Sequence, residues 1–201
     1  MFTNPVPPEL TSRPYSPDFL AYRKWYGDPP PEIHTFPGLG KLWGPQQDII
    51  EIARGSQDFT YSLPALLSKF KEEGIYTQNA TPDELANLGA EAFCRPLRSM
   101  KKTGEFILKV ATPKQYTQMF GLDPVTAYHT ALRDLGHESG HAYDLKVIPT
   151  FVKSPPIGLW DTEVRQWRFN LAYSQAIRKS DWASRAQAFL DDIRRFGSKI
   201  I

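Results

Sequence analysis

The chain has 201 residues, 41% of them hydrophobic and 23% charged, with a formal net charge of +2. That length and apolar fraction allow a packed core, and the near-neutral balance implies no obligate polyanionic partner. A single cysteine, Cys94, excludes an intrachain disulfide and fits a reducing compartment.

No apolar run approaches the roughly 18–20 residues of a membrane-spanning helix. The first eight residues, MFTNPVPP, carry neither the basic nor the apolar region of a secretion signal. The expected setting is therefore intracellular (cytoplasm or organelle matrix) or a virion, without membrane insertion.

Residues 1–45 hold ten of the 18 prolines, which leaves no room for a long regular element. Proline fixes φ, lacks the amide donor and pushes its predecessor toward extended backbone. Yet Tyr15, Phe19, Tyr22, Trp25, Tyr26 and Trp43 are interleaved with those prolines. This composition predicts a stiff strap with large groups to bury, interrupted by a short helix at about Asp18–Tyr26. The six aromatics are the candidate partner contacts.

Short helices with readable punctuation follow. Gln46–Ala53 is one, and Ser62 is read as the cap of the next, with the stripe Leu63, Leu66, Leu67 and Phe70 and a stop at Gly74. Thr81-Pro82-Asp83-Glu84 spells a capping box that opens a helix carrying Leu85, Leu88, Ala92 and Phe93, with Cys94 inside it. Glu105–Ala111 is the best strand candidate, and Thr112-Pro113 starts a short helix ending at Gly121. Asp123 and Pro124 begin a further helix, with Val125, Tyr128, Leu132 and Leu135 at helical spacing.

Gly136 falls where a helix-ending glycine normally sits. On this reading the next five residues, His137-Glu138-Ser139-Gly140-His141, form a turn leading into an extended stretch, Leu145–Val152. The same five residues match the H-E-x-x-H signature. On a continuous helix, positions i and i+4 share a face, so both imidazoles would bind one metal while Glu138 serves as general base. The motif resembles that of the zincin peptidases over these five residues. The resemblance implies zinc held by His137, His141 and a third ligand, for which Glu163 is the first candidate and His129 the other.

Two helices close the sequence, from Asp161 to about Lys179 and from Asp181 to Phe196. A basic cluster, Arg95, Arg98, Lys101, Lys102 and Lys109, is the candidate surface for phosphate backbone. Residues 162–201 add eight basic side chains against four acidic ones.

The expected fold is mainly α: a bundle of short helices with a small two- or three-stranded β element and an extended proline- and aromatic-rich arm. Residues 1–45 form the arm, 46–153 a helical domain, and 154–201 a linker with a helical pair packed on that domain. The first functional expectation is a non-catalytic structural subunit of a larger assembly, binding other protein subunits and needing no cofactor. The alternative is a zinc-dependent hydrolase of the HExxH type. A second alternative is an accessory protein of a ribonucleoprotein, contacting RNA or DNA.

Overall fold

The computed structural model describes residues 13–35, 41–55, 59–84, 92–96, 105–147 and 157–201. In chain order the elements are α1 (Pro17–Tyr26), β1 (Glu32–Ile33), α2 (Gly44–Gly55), α3 (Phe59–Glu72), β2 (Ile75–Asn79), β3 (Ala92–Pro96) and β4 (Phe106–Val110). They continue with α4 (Pro113–Phe120), α5 (Pro124–Val147), α6 (Ile157–Ala176), α7 (Ser180–Arg195) and β5 (Lys199–Ile200). The protein is mainly α with a small strand component, as its composition predicts. No helix among the described residues is long and apolar enough to cross a membrane.

The chain forms two compact units, one from residues 1–41 with 148–201 and the other from 42–147. In the first, residues 13–35 of the proline-rich strap lie against α6 and α7. Ser16 caps α1, accepting from the Phe19 amide, with Pro17 next to the cap. The core joins Phe19 and Ile33 to Trp160, Val164 and Trp167 of α6 and to Phe189, Leu190 and Ile193 of α7. Tyr22 meets Trp160, Trp167 and Phe189 with ring centroids 5.3–6.3 Å apart. A buried phenylalanine contributes about 1.5–3 kcal/mol, so Phe19 is one of the strap's main anchors. Behind α1, β1 pairs with β5 in parallel, Glu32 opposite Lys199 and Ile33 opposite Ile200.

The second unit contains a three-stranded sheet in the order β2-β4-β3. β2 runs parallel to β4, with Ile75 opposite Phe106, and β3 runs antiparallel to it, with Ala92 opposite Val110. The predicted strand at Glu105–Ala111 is thus present as β4. Local chemistry sets α4: Thr112 and Gln115 form a full capping box, and Gly121 closes the helix at φ 65°. The Thr81–Glu84 capping box is also formed, with reciprocal bonds of 2.9 and 3.2 Å.

Four expectations are corrected here. Residues 92–96 are a strand, so Ala92, Phe93 and Cys94 belong to no helix; the ladder to β4 overrides the helical pattern. Ser62 lies inside α3, which begins at Phe59, and is not its cap. Gly136 ends no helix, and 137–141 is no turn, because α5 runs unbroken from Pro124 to Val147. By the same token residues 145–147 are helical and not extended; 148–152 lie outside the described residues.

The reason α5 passes through Gly136 is tertiary. Two interior glycines cost about 1 kcal/mol each relative to alanine, yet Gly136 and Gly140 are both buried. The Gln46 side chain of α2 donates to the Gly136 carbonyl at 3.1 Å, an approach that a residue without a side chain favours. At its start, Asp123 accepts from the amides of Val125 and Thr126, both at 3.0 Å, as the N-cap reading predicts.

Candidate metal centre

α5 carries His137 and His141 one turn apart on the same face. Their ring centroids are 4.9 Å apart with planes at 71°, and one nitrogen of each lies within 4.8 Å of the other. Both rings are half-buried, as is Glu138 between them. Two imidazoles at i and i+4 with an adjacent carboxylate are a donor set that suits zinc, which binds nitrogen readily and holds water in an open position.

The same face holds two residues that periodicity alone did not single out. Asp134 lies one turn before His137, and Asp144 one turn after His141. Asp134 is fixed by Arg133, whose Nε and guanidinium nitrogen donate at 2.9 and 2.8 Å, and by the Tyr116 hydroxyl. Asp144 is fully buried and accepts from the Trp43 indole at 2.7 Å. The face therefore reads acid, histidine, histidine, acid. The acids' spacing of three residues from each histidine is the signal that would have found them.

His129 is corrected as a third-ligand candidate. It sits eight residues before His137, about 12 Å along the helix axis, too far to share one ion. Its ring is buried and meets Tyr128 at 5.9 Å. Glu163 is on α6 in the first unit, 5% exposed, and accepts from the Tyr26 hydroxyl at 3.3 Å.

The strap aromatics divide. Phe19 is fully buried, and Tyr15, Tyr22 and Tyr26, each partly buried, pack against the same core. Trp25 alone of that group is largely exposed, at 62%. Trp43 stacks on Tyr143, ring centroids 5.9 Å apart, besides bonding Asp144.

In the proposed basic surface, Lys109 is ion-paired with Glu84 at 2.8 Å. Arg95 lies in β3, where only the backbone is described, and Arg98, Lys101 and Lys102 lie outside the described residues. Among the later cations, Arg185 pairs with Asp18 and Arg195 with Asp192. Arg165 donates to the Lys41 carbonyl and Arg168 to Thr35. Burial, helped by the charges of Arg194 and Arg165, lowers the affinity of Arg168 for its proton.

Comparison with known proteins leaves the chain by itself: no protein-family model matches it, and neither a curated protein nor a solved structure does.

Proposed function

We propose that the chain is a metal-dependent hydrolase whose centre is the helix-borne pair His137 and His141, with Glu138 as general base. The observation that carries this reading is the continuity of α5 through residues 137–141, which gives both imidazoles one face. Bound zinc would supply a Lewis acid and a water of lowered pKa. His137 and His141 act as neutral ligands, oriented on a face shared with Asp134 and Asp144. Glu138 takes a proton from the attacking water and returns it to the departing group, so its charge is restored each cycle. Half-burial strengthens each of these electrostatic contacts relative to bulk water.

A catalytic zinc site needs a third protein ligand, and Glu163 is the residue that the sequence offers.

The test is the metal content of the tag-free protein, with His137→Ala, His141→Ala and Glu163→Gln beside it. Near-stoichiometric zinc in the parent, lost in the two alanine variants and weakened in the third, supports the proposal. No retained zinc in the parent, after incubation with zinc and removal of the excess, overturns it.

A further inference from the structure

The face of α5 opposite the two histidines borders a cavity of about 480 Å³. Its floor is Leu132 and Leu135 of α5 with Ala111, all buried. Leu67 of α3, Val110, Ala131 and the Tyr128 ring make the sides. The polar part of the lining is Thr77, Gln78 and Asn79 at the end of β2, with Thr112 just after β4.

Three observations together point to a ligand site. The volume lies within the range of roughly 300–1,000 Å³ that small-molecule sites occupy, and the lining is mostly apolar with a few polar groups, the usual character of such sites. The lining includes the carboxyl ends of the two parallel strands, β2 at Asn79 and β4 at Val110. The rim is tied in place rather than loose. The Ala80 amide donates to the Val110 carbonyl at 3.1 Å, and Gln115 of the α4 capping box donates to the Ala80 carbonyl at 2.7 Å.

We infer that this cavity binds an uncharged small molecule of mainly hydrocarbon surface, with a single hydrogen-bonding group turned toward the end of β2. The charge of the ligand follows from the lining. None of the described residues around the cavity is acidic or basic, so an ion entering it would lose hydration without gaining a counter-charge. Tyr128 does not change that balance, because burial holds its phenol well above the usual range and keeps it neutral. The placement of the polar group follows from the lining, where three consecutive polar side chains, Thr77, Gln78 and Asn79, end β2. The site is independent of the metal reading, since its residues and the histidines occupy opposite faces of α5.

The probe is octan-1-ol, with octanoate as its charged counterpart, titrated into the 201-residue chain by calorimetry and followed by thermal unfolding. Saturable binding of about one octanol per chain is expected, with octanoate at least tenfold weaker. Ala131→Phe should fill the cavity and remove octanol binding. Leu67→Trp, at a half-buried wall position, does the same job if the first variant fails to fold. Octanol uptake that never saturates, or that persists unchanged in a folded filled variant, would overturn the inference, as would octanoate binding as tightly as octanol.

Discussion

The carboxylate of Asp192 accepts a hydrogen bond from the backbone amide of Ser16 at 2.7 Å, across 176 residues of chain. Asp192 is fully buried and also pairs with Arg13 at 2.9 Å and Arg195 at 3.0 Å. Arg195 in turn donates to the Arg13 carbonyl and lies over the Tyr15 ring at 4.3 Å. One acid thus fastens the strap to α7. Removing one partner of a buried ion pair costs roughly 3–5 kcal/mol, because the other charges are left uncompensated. Asp192→Ala should lower the unfolding free energy read from urea denaturation by that order, with a matching fall in midpoint, and Asp192→Asn by less, since its carbonyl oxygen still accepts from Ser16. An unchanged midpoint in the alanine variant would mean that the aromatic packing holds the strap unaided.

Glu84 gives a prediction in pH. The Lys109 ammonium, bonded to both carboxylate oxygens at 2.8 and 3.0 Å, and the Thr81 amide hold its carboxyl down at about 2, against a usual 4.5. The folded state therefore binds the proton less readily than the unfolded one. The contribution is complete above pH 4.5 and disappears as pH falls toward 2. Parent and Glu84→Gln should differ in thermal midpoint at neutral pH, and the gap should close over that window. A constant gap down to pH 2 would show that the capping geometry, and not the charge, matters.

Gly121 ends α4 in the left-handed region, and a Cβ built there would meet nothing within 4 Å. The cost of Gly121→Ala is therefore conformational alone, about 1 kcal/mol, with asparagine costing less. Chemical denaturation of both variants reads this directly. A neutral alanine variant would contradict the backbone geometry.

Glu138→Gln separates binding from chemistry. The residue is assigned to proton transfer and not to the metal, so its variant should retain zinc with an affinity within about threefold of the parent, whereas His141→Ala should lose it. Loss of zinc from the glutamine variant would move Glu138 into the ligand set and leave the reaction without its base.

Features set by chemistry within four residues were readable in the sequence. The Asp123-Pro124 start, the Thr112/Gln115 box with its Gly121 stop and the Thr81/Glu84 box each depend on neighbours along the chain, and each appears where the residues put it. Features decided by distant residues were not. Gly136 carries a stop signal, yet α5 continues through it, with Gly136 buried and its carbonyl bonded by Gln46, 90 residues away. Ala92–Pro96 has a helical pattern but becomes a strand because β4 offers it a ladder. The histidine pair could be named from the motif, yet its helical setting depended on that same packing. Its acidic neighbours are held by Trp43, Arg133 and Tyr116, partners that periodicity does not connect to them.

The short parallel ladder between β1 and β5 has a consequence for biosynthesis. Pro30 and Ser198, 168 residues apart, are joined by a 2.6 Å bond, and most of the core that Phe19 of α1 enters comes from α6 and α7. During translation the strap leaves the ribosome with none of its binding surface yet made. The intervening unit, residues 42–147, is continuous and can close as soon as it emerges. The strap, made before the helices it packs on, is thus folded after the unit that follows it, and until β5 is released its aromatic side chains stand exposed to whatever chaperones attend the nascent chain.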